Sequence, residues 1–297
     1  MGEIAKEQVL HVSIRAGCNN YCVFCNDPRE SFDQEQNSFE QYASVLRESA
    51  GSFKRVCFTA GEPTIYPRFL ELIRYAKKLG YPDIFLITNG KMLSSKKFFA
   101  KLIRNGLNML AVSVHGHAPG LHDGLTRSPG SFSLVKDALL NAGAYREKGE
   151  LKSFSINSTL IRQNLESLPE MNTFFHTFSI DEHIINYFNP LCTSTSDVRR
   201  FMPQYSDAVT VFKQMYLVGQ KFLVLDIPYC TCRDLLAVTG AVEDNYMKID
   251  DIEYAHNTIS KDRIKPHFCS RCRLEAQCDG IPLNYANLFG LGEFRPL

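Results

Sequence analysis

Residues 9–25 read VLHVSIRAGCNNYCVFC, a β-type apolar run that leads directly into a loop with three cysteines. Cys18, Cys22 and Cys25 are separated by three and then two residues. Three thiolates at this spacing can hold one small inorganic cluster from a single loop, and they leave one iron of a 4Fe–4S cubane free to bind a cofactor. The alternative is a structural zinc site, but no fourth ligand is close, since His11 lies within the preceding run.

Short β-rich runs alternate with amphipathic helical patterns after this loop. We predict strands over residues 9–14, 55–59, 84–88, 109–114, 154–160 and 183–188, with a seventh β-like run over residues 222–227. Predicted helices cover residues 39–50, 69–79, 96–105, 132–148, 165–178 and 206–218. This alternation predicts an α/β fold with a parallel sheet, wound open or closed as a partial barrel.

Polar or flexible residues stand where several predicted strands end. They are Gly61, Glu62 and Pro63 after the second strand, Asn89 after the third, Ser113 at the end of the fourth and Asn157 within the fifth. In parallel α/β folds, functional residues collect at the carboxyl ends of the strands. The sequence therefore predicts one site at this edge of the sheet, together with the cysteine loop.

A second group of cysteines follows the last predicted strand. Cys269, Cys272 and Cys278 are separated by two and then five residues, and Cys230 and Cys232 form a close pair. The chain has ten cysteines and no secretory signal, which favours metal or redox chemistry over disulfides. Two cysteine groups at opposite ends of the chain predict two metal-containing sites.

The charge balance and the chain organisation restrict the partners. Lysine and arginine total 33 against 32 for aspartate and glutamate, so no basic field directs the protein to nucleic acid or to an anionic membrane. No apolar run approaches the roughly 18 residues of a membrane span, and no signal peptide is present, which predicts a cytoplasmic protein. Helical periodicity stops near Pro228, which predicts domains at residues 1–228 and 229–297.

The first cysteine group resembles the signature of the radical S-adenosylmethionine (SAM) enzymes. It has the spacing Cys18-x3-Cys22-x2-Cys25, with the aromatic Phe24 just before the last cysteine. The likeness covers roughly residues 8–190. It implies a partial (β/α)6 barrel of the TIM type, with a 4Fe–4S cluster held by the three cysteines. It also implies reductive cleavage of SAM to methionine and a 5′-deoxyadenosyl radical that abstracts a hydrogen atom from the substrate.

The residues at the strand ends extend this resemblance. Gly61-Glu62-Pro63 is similar to the family's Gly-Gly-Glu-Pro motif, with Ala60 in place of the first glycine. By this resemblance Glu62 would pair with the SAM ammonium, and Gly61 would allow close approach of the backbone.

Five further residues are candidates for contacts with SAM. By the resemblance, the backbone at Phe24 would reach the adenine, and Asn89 would lie among the polar SAM contacts. Ser113 and Asn157 would bind the ribose and carboxylate region. Arg127 could clamp the SAM carboxylate, although Asn89, Asn157 and Arg127 could equally be structural caps, turns or surface residues.

The second cysteine group resembles the SPASM or twitch extension, which binds auxiliary iron–sulfur clusters. Pro282 stands where the longer SPASM pattern has a further cysteine, which implies one auxiliary 4Fe–4S cluster rather than two. The implied ligands are Cys230, Cys269, Cys272 and Cys278, with Cys232 as the competitor for the first place. A zinc knot that uses the same cysteines, with His267, is the alternative.

Several isolated residues remain. Cys57 lies inside a predicted strand and is expected to be a small buried hydrophobe. Cys192 follows the sixth strand and could donate a hydrogen atom to a substrate radical, or be an idle thiol. His115, His117 and Asp123 could form a mononuclear metal site of a hydrolase, although local loop packing is the simpler interpretation.

The predicted function is hydrogen abstraction from a ribosomal peptide, with an external electron donor such as flavodoxin or ferredoxin. The alternative substrate is a small molecule such as a nucleoside or sugar. Two other classes compete: the metal hydrolase, and a zinc-stapled binding protein without catalysis. Peptide is preferred only because peptide modification is common among families with such extensions.

Overall fold

A computed structural model describes residues 9–14, 17–26, 38–189, 195–240, 245–249, 252–254 and 262–297. Seven parallel strands follow one another in chain order within a sheet of nine described strands. They are β1 (Val9–Ser13), β2 (Arg55–Thr59), β3 (Asp83–Thr88), β4 (Met109–Ser113), β5 (Ser153–Leu160), β6 (Glu182–Tyr187) and β7 (Leu223–Leu225). This curled half-barrel confirms the predicted fold class, and the seventh β-like run joins the sheet as β7.

Helices cover this sheet between the strands. They are α1 (Phe39–Ser49), α2 (Phe69–Lys78), α3 (Lys96–Asn105), α4 (Pro119–Thr126), α5 (Ser131–Glu147), α6 (Leu168–Phe175), α7 (Thr195–Phe201), α8 (Tyr205–Leu217) and α9 (Leu283–Phe289). The apolar stripe of α2 is buried, as its 3.6-residue spacing requires. The remaining strands are β8 (Asn245–Ile249), β9 (Ile252–Tyr254), β10 (Arg263–Ile264) and β11 (Ile281–Pro282).

Three helices, α4, α7 and α9, were not predicted, and one was predicted too long. Helix α4 begins at a proline and contains Gly120 and Gly124, so its helical signal is weak. Helix α7 is only seven residues long. The helix predicted over residues 165–178 is the shorter α6, which continues as a 3-10 turn at His176–Phe178.

The C-terminal segment packs onto the barrel instead of standing apart from it. β8 pairs in parallel with β1, on the side away from β2. Tyr285 in α9 stacks on Tyr205 at the start of α8, with 4.1 Å between ring centroids, and Phe294 packs edge-on against both rings. These contacts do not show where one domain ends and the next begins, so the domain boundary at residue 228 stays a prediction. Among the described residues, no helix combines the length and apolar character needed to cross a membrane.

Candidate functional site

A wide cleft lies at the carboxyl ends of the parallel strands. The strand register aligns these ends, because Ser13 pairs with Thr59 and Ser113 pairs with Asn157. The cleft has a cavity volume of about 350 Å³ and opens to solvent. Its lining comes from the cysteine loop and the strand ends: Cys18, Asn20, Cys22, Phe24, Cys25, Asn26, Thr59, Ala60, Gly61, Ile87, Thr88, Asn89, Ser113, His115, Thr159, Asn186, Tyr187, Phe188, Asn189 and Asp226. The structure thus brings the predicted cysteines and several predicted polar residues together.

The cysteine loop is held in place by backbone hydrogen bonds to α4. The N–H groups of Tyr21 and Val23 donate to the carbonyls at the end of α4, at 2.8 and 2.9 Å. A turn closes the last two cysteines, because the N–H of Cys25 donates to the carbonyl of Cys22 at 3.3 Å. The buried ring of Phe24 packs edge-on against His115, with 4.5 Å between centroids. Three thiols therefore face one cleft from one loop.

The donor chemistry around Cys18 fits an iron–sulfur cluster. The N–H of Asn20 donates to its sulfur at 3.4 Å, and the side-chain amide of Asn89 lies 3.9 Å from the same atom. Hydrogen bonds of this kind tune cluster potentials. Among the described residues, no group of three or more His, Cys, Asp or Glu side chains is placed to hold a metal ion. Sulfurs on one zinc would be about 4 Å apart, whereas a cubane separates its ligands more widely.

Glu62 lies beneath the cleft and not in its wall. Its carboxylate is fully buried and accepts four hydrogen bonds: from the Thr64 N–H at 3.1 Å, the Thr64 hydroxyl at 2.5 Å, the Thr88 hydroxyl at 2.7 Å and the Asn89 N–H at 2.7 Å. Burial raises the pKa of Glu62, and these bonds oppose the shift. The direct contact with the SAM ammonium stays a prediction, and in this structure the carboxylate instead ties the end of β2 to the end of β3.

Gly61 joins β2 to the cysteine loop at close range. Its φ is +54°, and a Cβ there would lie 2.5 Å from the carbonyl oxygen of Gly17, so only glycine fits. The following N–H, of Glu62, donates to the same Gly17 oxygen at 2.9 Å. Ala60 has a φ of +63°, so it retains the left-handed conformation where the family's motif has glycine.

Some of the other predicted SAM contacts line the cleft, and others lie outside its lining. Phe24, Asn89 and Ser113 line the cleft. Asn157 lies beside Ser113 in the sheet, and its side-chain oxygen is buried without a hydrogen-bond partner in the described part of the chain. Such an atom would gain from a polar ligand. Arg127 is exposed at the end of α4, outside the cleft lining, and its role stays a prediction.

Pro63 also lies outside the cleft lining. It is buried as the first residue of a 3-10 turn, Pro63–Ile65. Its missing N–H suits that position, since the first N–H of a helical turn has no partner within the turn. Cys192 falls outside the described residues, and its proposed hydrogen-donor role stays untested.

Of the three residues of the alternative hydrolase site, Asp123 and His115 are engaged in loop packing, whereas the buried Nδ1 of His117 has no hydrogen-bond partner in the described part of the chain. Asp123 caps α5, because its carboxylate accepts from the Gly130 and Phe132 N–H groups, each at 2.7 Å. His115 Nδ1 accepts from the Thr159 N–H at 3.1 Å, and burial holds the pKa of His115 well below its usual value. His122 Nδ1 accepts from the His115 N–H at 3.2 Å. This arrangement favours the simpler interpretation over a hydrolase centre.

Sequence reasoning missed functional candidates at the last two strands. Asn186 in β6 and Asp226 directly after β7 line the cleft. The strand-end rule that selected Ser113 would have selected both. Lys91 was also missed, and the sequence carries no signal for it beyond its position after Asn89 and Gly90.

A second cavity brings together the four cysteines named as auxiliary ligands. Cys230, Cys269, Cys272 and Cys278 line it, with apolar side chains such as Phe268, Leu274 and Ile281 between them. Two sulfurs face backbone donors, since the Gly280 N–H lies 3.4 Å from Cys278 and the Leu297 N–H lies 3.4 Å from Cys272. Burial raises the pKa of Cys230 to about 11.

Cys232 is separated from this cavity. It is fully buried in the hydrophobic core, is absent from the cavity lining, and lies 3.7 Å from the Thr231 hydroxyl. His267 does not line the cavity either. Between the two residues that compete for the first ligand place, this geometry favours Cys230.

Asp226 connects the two sites. It lines the wide cleft and also a small cavity that contains Cys278 and Gly280. Its carboxylate accepts from Arg263 at 3.0 Å, and the Arg263 side chain is only 2% exposed. Its backbone is left-handed, with a φ of +64°. The end of β7 is therefore fixed to β10, beside the second cavity.

Comparisons with known proteins agree with this geometry. The family model of the radical SAM superfamily matches residues 12–177. Streptococcus suis SuiB bound to the precursor peptide SuiA superposes with a TM-score of 0.65 at 15% identity, covering 97% of this chain and 74% of that chain. His-tagged anSMEcpe with bound AdoMet gives a TM-score of 0.65 at 15% identity, covering 97% of this chain and 92% of that chain. At such identities these two structures support the fold.

Two curated relatives are similar in sequence. The tungsten-containing aldehyde ferredoxin oxidoreductase cofactor-modifying protein of Pyrococcus furiosus is 22% identical over 226 residues, which cover 74% of this chain and 62% of that protein. The probable GTP 3′,8-cyclase of Sulfurisphaera tokodaii is 29% identical over 178 residues, which cover 59% of this chain and 55% of that protein. The chain thus spans less than two thirds of either relative. Because the family model alone covers more than half of the residues and contains the three-cysteine loop, this chain belongs to the radical SAM superfamily of enzymes.

Proposed function

We propose that this enzyme cleaves SAM reductively and abstracts a hydrogen atom from a ribosomal peptide that enters the wide cleft. The observation that carries the proposal is the placement of three thiols from one loop in a solvent-open cleft lined by polar strand ends. When bound, a 4Fe–4S cluster would supply one electron to SAM. The C5′–S bond of SAM would break to give methionine and a 5′-deoxyadenosyl radical, which takes a hydrogen atom from the substrate.

The chain's own residues would hold and orient the reactants. Cys18, Cys22 and Cys25 would bind the cluster. Asn89 and Ser113 line the cleft with hydrogen-bonding groups suited to the amino-acid and ribose parts of SAM. Asn157 Oδ1 is a buried acceptor without a partner in the described chain, and it lies beside Ser113 though outside the cleft lining. Glu62 would act from beneath, by fixing the backbone of Asn89.

The charge of the cleft favours a peptide over a nucleoside triphosphate. Its lining, within the described residues, contains no lysine or arginine, and its acidic residue, Asp226, is paired with Arg263. Burial lowers the pKa of His115 well below its usual value, so the imidazole stays neutral there. A triphosphate is normally bound by arginine, lysine or a metal ion. The cleft is open at one side, which would let an extended peptide enter it.

The nucleotide alternative is kept because of one observation, the similarity to the probable GTP 3′,8-cyclase. In that case the phosphates would need basic groups outside the described lining of the cleft.

Anaerobic reconstitution with iron and sulfide tests the reaction, with dithionite as reductant. We expect 5′-deoxyadenosine to form from SAM, and its rate to rise when a pool of ribosomally encoded peptides is added. Peptide products should show a mass change, or deuterium transfer into 5′-deoxyadenosine from labelled peptides. Stimulation by GTP, but not by peptides, would support the nucleotide alternative instead. Absence of reductive SAM cleavage by the reconstituted enzyme would contradict the proposal entirely.

A further inference from the structure

Lys91 reaches from the end of β3 to the cysteine loop. Its ammonium nitrogen lies 2.5 Å from the Asn19 carbonyl oxygen, 3.1 Å from Asn20 Oδ1 and 2.9 Å from Ser128 Oγ. A lysine ammonium has three N–H donors, so these three acceptors use all of them. The side chain therefore joins the loop between Cys18 and Cys22 to the segment that follows α4.

The side chain of Asn89 binds the same loop from a second direction. Asn89 Nδ2 donates to Asn19 Oδ1 at 2.6 Å, and the Lys91 N–H donates back to Asn89 Oδ1 at 3.1 Å. The Asn89 N–H is itself fixed by Glu62 at 2.7 Å. A continuous chain of hydrogen bonds thus runs from Glu62 to the loop of Cys18.

Lys91 also places a fixed positive charge beside the thiols. Burial lowers the pKa of Lys91, while the opposite charges of Cys18, Glu62 and Cys22 raise it. Its three close neighbours all present oxygens that can accept from the three N–H groups of an ammonium. Lys91 is not among the residues that line the cleft, and its charge therefore acts from behind the cysteine loop.

We propose that Lys91 is a positioning residue which holds the cysteine loop in its cluster-binding shape and, through its charge, makes the bound cluster easier to reduce. The inference rests on the proposed function, because it concerns the cluster that Cys18, Cys22 and Cys25 would hold. Cluster potentials depend on net charge and on hydrogen bonds near the sulfurs. A fixed cation stabilises the more negative, reduced form and so raises the midpoint potential.

The test compares Lys91→Met, Lys91→Gln and Lys91→Arg with the control Lys97→Met. Lys97 is an exposed lysine of α3, outside both cavities. The measurements are iron content and a redox titration followed by electron paramagnetic resonance of the reconstituted enzyme. The N-terminal cluster is identified by the change of its signal on addition of SAM.

We expect a more negative midpoint potential in Lys91→Met, and 5′-deoxyadenosine formation that slows with a weak reductant and recovers with a stronger one. Lys91→Arg should keep a potential close to that of the unchanged enzyme, since it retains the charge. If Lys91→Met binds too little iron for a redox titration, the midpoint potential is measured on Lys91→Gln instead. In that case, selective loss of the SAM-responsive cluster from Lys91→Met supports the positioning role.

A wild-type potential with full iron loading in Lys91→Met, or an equal shift in Lys97→Met, overturns the inference. These outcomes differ from failure of the proposed function, in which the unchanged enzyme itself would show no SAM-responsive cluster.

Discussion

The two cysteine sites differ in how far they are open. The first uses three cysteines in a wide cleft of about 350 Å³ with a partly polar lining, and Cys25 is exposed. The second uses four cysteines in a cavity lined largely by apolar side chains. An open iron is useful only where a polar ligand can reach it, whereas a fully ligated cluster is compatible with apolar surroundings. The comparison supports a reactive first site and an auxiliary second site.

The two sites also differ in which residues occupy left-handed backbone positions. In the first cleft, Ala60 and Asp226 have left-handed backbones without being glycine, with φ values of +63° and +64°, and Gly61 beside Ala60 is left-handed too. In the second site the left-handed position is occupied by Gly280, at +95°. Strained residues concentrate at sites where a required geometry outweighs stability.

Removal of the first triad should have the largest effect. In the triple variant Cys18→Ala, Cys22→Ala and Cys25→Ala, 5′-deoxyadenosine formation should be abolished, because no ligand remains for the reactive cluster. Iron should fall from about eight to about four per chain, since each cubane holds four. The matched control is Cys57→Ala, at a buried position in β2 outside both cavities. Continued SAM cleavage by the triple variant would contradict the assignment of the open site.

The pair Cys230→Ala and Cys232→Ala tests the closed site. Cys230→Ala should lose most of the auxiliary iron, while Cys232→Ala should keep it, because only Cys230 lines the cavity. Iron and zinc analysis of both variants measures this difference. Tightly bound zinc in place of the second cluster would support the zinc knot. Full iron in Cys230→Ala, with a spectrum that shifts on addition of substrate, would instead make the second cluster open as well.

Glu62→Gln should act on stability more than on direct binding. A glutamine nitrogen would face N–H or hydroxyl donors where the carboxylate now accepts four hydrogen bonds. We expect the free energy of unfolding of the chain without SAM to fall by about 1–3 kcal/mol. Denaturant titration and SAM binding should be measured together, with Thr64→Val as a variant that removes one donor. Unchanged stability with SAM affinity weakened about 10- to 150-fold would instead indicate direct contact with the ammonium.

The smallest effects should come from the left-handed residues. Ala60→Gly removes a penalty of about 1–2 kcal/mol, while the greater freedom of glycine in the unfolded chain costs about 0.5–1 kcal/mol, which leaves a net gain of about 0–1.5 kcal/mol. Gly280→Ala should destabilise instead, since its Cβ would lie 2.7 Å from the Ile264 carbonyl oxygen. Thermal unfolding of both variants measures the contrast. A loss of stability in Ala60→Gly would show that the left-handed backbone is not strained there.

The sequence by itself determined the fold class and the two cysteine groups. The alternation of apolar periods predicted seven β runs that match β1–β7 within a few residues, because period and strand burial are local consequences of side-chain order. It missed α4, where proline and glycine weaken the local signal, although the tertiary structure supports a helix there. The cysteine spacings were visible directly, since loop ligands to one cluster are close in the chain.

Only the tertiary structure decided what surrounds those cysteines. The sequence does not tell whether Glu62 faces a cofactor or lies beneath the cleft. Its four hydrogen-bond donors come from the turn after β2 and from the end of β3, up to 27 positions from Glu62 in the chain. Cys230 and Cys232 are almost equivalent in sequence, yet one lines a cavity and the other lies in the core. Lys91 meets Asn19 across 72 positions. Contacts of this kind depend on how strands and loops pack, which residue order specifies only through the whole fold.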